Sequence, residues 1–70
     1  MIKYIKSRKK NKIREEYNTW KEALYVAATD YNEGLAYPLE IKEGDRVLQG
    51  KKLIDKIIKY ADKYMGGDVN

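Results

Sequence analysis

The sequence predicts an α+β domain of two layers, a four-stranded, mainly antiparallel sheet with two helices against it, in the order β-β-α-β-β-α. Three observations lead there. Apolar and charged residues alternate at period two in four short stretches, two longer stretches repeat near period 3.6, and residues suited to turns or helix ends separate them. Both helices bury their apolar stripes if they share one face of the sheet. The order of the strands is left open.

Residues 2–6 (IKYIK) and 12–17 (KIREEY) read as strands, with Ile2 and Tyr4 in the first and Ile13, Glu15 and Tyr17 in the second alternating with charge. Ser7 to Asn11 between them is polar, and Asn tolerates left-handed geometry, so a hairpin with Arg8, Lys9 and Lys10 at its tip is expected. Thr19-Trp20-Lys21-Glu22 matches a capping box, in which the Thr hydroxyl accepts from the Glu22 amide while the Glu side chain reaches back. From there Trp20, Ala23, Leu24, Ala27, Ala28 and Tyr31 fall on one stripe, and Gly34 supplies the stop, giving a helix over about residues 20–32.

Tyr37 to Lys42 alternates again, Glu43-Gly44-Asp45 is a turn, and Arg46-Val47-Leu48 resumes an extended pattern. Pro38 cannot donate a ladder hydrogen bond, which places it at a strand beginning or on an edge. A second helix is expected from Lys51 to Met65 on the stripe Ile54, Ile57, Ile58, Ala61 and Met65, ended by Gly66-Gly67. The domain is read as residues 1–67, with 68–70 a frayed tail. Trp20, Leu24, Ala27, Ile41, Val47, Ile54, Ile57, Ile58 and Ala61 are the expected core.

The 70 residues carry no His and no Cys, which removes the imidazole base, the thiol nucleophile, the usual zinc ligands and any disulfide framework. No catalysis, metal or cofactor is therefore expected. Asp30 with Glu40-Ile41-Lys42 echoes the D…E-x-K set of metal-dependent nucleases, but Asp30 falls on a helix rather than a strand. Glu15 and Glu16 point to opposite faces of one strand and cannot share a proton. Ser7, Thr19 and Thr29 have no His to activate them. No apolar run approaches a membrane span and the charged start lacks the core of a secretory signal, so a cytoplasmic protein with no membrane partner is expected.

Charge is the clearest functional signal. The formal net charge is +4, yet Lys3, Lys6, Arg8, Lys9, Lys10, Lys12 and Arg14 lie within the first 14 residues with no acid among them, and the remainder is net acidic. Lys6, Arg8, Lys9, Lys10, Lys12 and Arg14, with Tyr4 and Tyr17 interleaved, are the candidate binding residues for phosphate or an acidic partner. Edge lysines also guard a strand against aggregation, and half-buried Tyr is ordinary core. Lys52, Lys56, Lys59 and Lys63 form a second basic seam along the outer side of the second helix, where a solvated face is the simpler account.

The run Thr19-Trp20-Lys21-Glu22-Ala23, then Asp30-Tyr31, Gly34 and Tyr37-Pro38-Leu39-Glu40-Ile41 with Glu43-Gly44-Asp45, resembles small uncharacterised proteins of phages and mobile elements in low-GC bacteria. The abundance of Lys, Ile, Tyr and Asn agrees with an AT-rich genome. The resemblance implies the fold and a bacterial-host setting, and transfers no catalytic or binding residue. It leads to a non-catalytic protein that acts on a host macromolecule, as an inhibitor of host defence or a self-assembling sponge for a signal molecule. The alternative is a nucleic-acid-binding module that uses the hairpin of residues 8–14. Tyr25 and Val26 lie outside the core stripe of the first helix, so they are the expected interface of a homo-oligomer, or else a docking site for a host protein.

Overall fold

The computed structural model describes residues 1–64. The expected helix stop at Gly66-Gly67, the stripe position Met65 and the tail 68–70 lie outside the described residues. The elements run β1 (Ile2–Arg8), β2 (Asn11–Tyr17), α1 (Trp20–Glu33), β3 (Tyr37–Glu43), β4 (Arg46–Gln49) and α2 (Gly50–Tyr64). This is the expected α+β order, with one antiparallel sheet of strand order β2-β1-β3-β4.

Register decides what each face shows. Ile2 stands opposite Tyr17, Tyr4 opposite both Glu15 and Ile41, and Ile41 opposite Leu48. These residues form the inner face, closed by Ala23, Leu24, Ala27 and Ala28 of α1 and by Leu53 and Ile57 of α2. A bulge shifts the pairing after Ile5, so that Lys6 meets Pro38 across β1 and β3. Pro38 is tolerated in this inner strand because β4 pairs with β3 only from Glu40 onward, which leaves no ladder for it to interrupt on that side.

The ends of α1 are fixed by their own side chains. Thr19 Oγ1 accepts from the Glu22 amide at 3.1 Å, while the Glu22 carboxylate takes the Asn18 amide at 3.3 Å, one residue earlier than a standard capping box. Gly34 adopts φ +69° and its N–H donates to the Asp30 carbonyl, the left-handed stop that glycine favours.

Three parts of the expected core need correction. Val47 is exposed, because its partner Lys42 places it on the outer face of the sheet. Ile58 is also exposed, at 44%, since α2 turns Leu53 and Ile57 inward with Ile54, Tyr60 and Ala61 flanking. Trp20 is half-buried and lies under the guanidinium of Arg46, 3.9 Å from the ring centre. A planar cation over an indole face is favourable, and here it joins the start of α1 to the β3–β4 turn.

Candidate functional site

The cations of the first 14 residues separate into two environments. Lys6 continues the inward alternation of Ile2 and Tyr4, and is buried at 9% exposure. Its ammonium lies 2.9 Å from Asp30 Oδ2 and 3.1 Å from Glu15 Oε1. The Tyr4 hydroxyl donates to the same Asp30 oxygen at 2.9 Å, and the Tyr17 hydroxyl donates to Glu15 at 2.6 Å. Lys6 is thereby removed from the set that can meet an external phosphate: both of its carboxylate partners are internal.

The network shifts Lys6, Glu15, Tyr4 and Tyr17 in ways that follow from its wiring. Burial alone would depress Lys6, but its hydrogen bonds to Asp30 and Glu15 and their charges outweigh it and hold the ammonium above its ordinary value. Burial would likewise raise Glu15, yet the hydrogen bonds from Tyr17 and Lys6 bring it below the usual carboxylate value. Tyr4 and Tyr17 are pushed well above the normal phenol value, first by burial and then by the carboxylates that accept from them. Lys6 is thus held as the ammonium, Glu15 as the carboxylate and both phenols neutral at neutral pH. The arrangement fastens β1 and β2 to α1.

The remaining cations gather outside. Lys3, Arg14 and Lys42 stand on the face of the sheet that no helix covers, with Ile5 and Glu40 between them and Glu16 at one margin. Lys12 joins them in a shallow depression shared with Ile5, Arg14, Leu39 and Glu40. Lys9 and Lys10 form the tip of the β1–β2 hairpin beyond this face, and Arg8, in the inward register of Tyr4 and Lys6, borders the α1–β3 connection with Ser7, Lys9 and residues 34–36. This face and the hairpin tip with Arg8 together carry seven cations against two carboxylates, and none of the seven has an ion-pair partner among the described residues.

The tip itself is unusual. Arg8 pairs with Asn11, so the turn has two residues, and both take left-handed backbone, Lys9 at φ +51° and Lys10 at φ +71°. This is a type I′ hairpin, for which Asn-Gly is the favoured sequence. Asn11, expected to supply the left-handed position, is instead the first residue of β2. Two lysines occupy backbone that usually costs a side chain about 1–2 kcal/mol per residue.

Other sequence candidates do not converge. Asp30 is buried on the inner side of the sheet while Glu40 and Lys42 belong to its outer side, so the D…E-x-K set is divided by the sheet itself. No group of three or more Asp or Glu side chains placed to hold a metal ion occurs among the described residues. Tyr25 is 53% exposed as expected, but Val26 is partly buried against the core and corrects the reading that the fold does not need it. Among the described residues no helix is long and apolar enough to cross a membrane. The chain matches no protein-family model, no curated protein and no solved structure.

Proposed function

We propose that this protein is a non-catalytic binding module for nucleic acid, which lays the helix-free face of its sheet and the Arg8-Lys9-Lys10 tip against the phosphate backbone. One observation carries this reading: six of the seven cations that open the sequence lie on the outer face of the sheet or around the hairpin tip without an ion-pair partner among the described residues, and two of them occupy left-handed backbone in the tip turn. Residues kept in costly conformations point to a use beyond folding. Strands and two-stranded ribbons are an established means of contacting nucleic acid, through its grooves as well as its phosphates. In the phage-type setting suggested by the Thr19 to Asp45 pattern, the nucleic acid is the host's or the phage's own.

The test is binding of mixed-sequence DNA and RNA over a salt series. Affinity should fall steeply with salt, and the combined R8Q, K9Q and K10Q changes should reduce the slope by about 2–3 units, roughly one per lost phosphate contact. Binding that ignores salt, or a slope that survives the triple change, overturns the proposal.

A second reading, docking of a host protein or of another copy, is favoured by Tyr25. It lines a largely apolar groove with Thr19, Lys21, Glu22 and Tyr60 on the helical side of the molecule. Binding there would depend on apolar contact and would respond weakly to salt.

A further inference from the structure

We infer that the cavity beside the hairpin tip receives one unpaired nucleotide, with its base stacked on Tyr37 and its phosphate held by Arg8 and Lys9, so that the preferred ligand is single-stranded. This rests on the nucleic-acid reading and sharpens it.

The cavity has a volume of about 340 Å³, at the lower end of the range for small-ligand pockets. Ser7, Arg8 and Lys9 form one wall, residues 34–36 another, and Tyr37 borders both. Tyr37 is 54% exposed, yet its ring is not loose. It leans on Tyr31, with ring centres 6.2 Å apart and planes inclined at 59°, and Tyr31 is itself packed on the core. A ring braced at one side and open over half its surface is a platform for another flat group.

The polarity of the cavity orients the ligand. The amides of Gly34, Leu35 and Ala36 all donate to the Asp30 carbonyl, so this wall has spent its N–H groups and cannot hold an anion. The exposed side chain of Leu35 makes part of the same wall apolar. Negative charge must then sit on the opposite side, where Arg8 and Lys9 have no carboxylate partner among the described residues. A flat, weakly polar base toward Tyr37 with a phosphate toward the hairpin satisfies both walls. A base inside a duplex has its faces covered by its neighbours and cannot offer one to Tyr37.

The experiment measures binding of fluorescent DNA of about 12 nucleotides, a length within the usual site sizes of single-strand binders, as a single strand, as a duplex and as an abasic single strand. The wild type should prefer the single strand. Tyr37→Ala should weaken single-strand binding about 5- to 100-fold and leave duplex binding unchanged, while Tyr37→Phe retains it. The wild type should bind the abasic strand as weakly as Tyr37→Ala binds the normal one, a comparison that needs no folded variant. Equal wild-type affinity for normal and abasic strands overturns the inference even if binding stays salt-dependent and sensitive to the hairpin triple change. Absence of salt-dependent binding to both strand forms overturns the nucleic-acid reading itself.

Discussion

The ammonium of Lys6 and the carboxylate of Asp30 are 2.9 Å apart, with the two residues only 9% and 6% exposed, and they join the centre of β1 to the C-terminal end of α1. Ions withdrawn from water this far are tolerated only when their remaining bonding capacity is used. Here Tyr4 donates to Asp30, Glu15 takes the other side of the ammonium, and Tyr17 donates to Glu15. The chain of five side chains spans both strands of the hairpin and the helix above them.

Removing one member of the pair leaves the other charge buried. Asp30→Ala or Lys6→Ala should cost about 3–5 kcal/mol, a large share of what a domain of this size has. Lys6→Ala combined with Asp30→Ala should lose less than the two single changes added together. Urea midpoints of the four proteins read this directly, and strictly additive losses would show that the two charges do not support one another.

Stability should also depend on pH from both sides. Folding lowers Glu15 from its ordinary 4.5, so its contribution is present above that pH and is lost as pH falls through the folded value. Folding raises Lys6 from 10.5, so its contribution is present below that pH and is lost as pH rises through the folded value. The raised Tyr4 and Tyr17 act in the same sense as Lys6, from 10.0 upward. Thermal melts should therefore show a plateau between about pH 5 and 10 with losses on either side. Glu15→Gln should flatten the acid limb; an acid limb identical to wild type would place its origin in other carboxylates.

Much of this architecture is legible in the sequence, and so is more of the buried network than the charge pattern suggests. Strict alternation puts Lys6 on the face of Ile2 and Tyr4, and Glu15 on the face of Ile13 and Tyr17. Asp30 falls three residues after Ala27 on the buried side of α1. Three charges at inward positions are the signature of a buried ion network, but counting Lys6 within a local cationic block hides it. The exposure of Ile58 is less legible in the sequence. Leu53 and Ile54 start two adjacent stripes on α2, and only the position of the helix over β3 and β4 selects the one through Leu53 and Ile57. Likewise, an Asn at the end of a polar stretch is a reasonable left-handed residue. Pairing of Arg8 with Asn11 closes the turn one step earlier and forces that geometry onto the lysines.

The orientation of α2 makes a sharp contrast between neighbours. Ile57 is fully buried, so Ile57→Ala should cost about 2–5 kcal/mol. Ile58→Ala, one residue on and facing water, should stay within about 0.5 kcal/mol of wild type. Equal losses in chemical denaturation would mean that a partner covers Ile58 in solution.

Self-association through the helical side is tested by Tyr25 alone, since Val26 is engaged with the core and Val26→Asp would damage the fold directly. If copies meet at the groove beside Tyr60, Tyr25→Ser should lower the mass measured by light scattering while the monomer keeps its helical and strand signal. A wild type that is monomeric at high micromolar concentration removes the homo-oligomer and leaves the groove to a different protein.

The hairpin tip should separate stability from binding. Lys9 and Lys10 hold positive φ in a turn whose preferred residues are Asn and Gly, and nothing in the described structure requires their side chains. Replacing Lys9 by Asn and Lys10 by Gly relieves left-handed strain at both positions, so the fold should gain about 1 kcal/mol and melt several degrees higher. The same change deletes two unpaired cations from the tip, and it should weaken binding to nucleic acid and reduce the salt slope by about 2 units. A more stable protein that binds less well is the result expected where a strained segment is kept for its surface. If the Asn-Gly turn improves the melting temperature and leaves binding and its salt dependence untouched, the lysines guard the hairpin against aggregation and their part in holding phosphates is overturned.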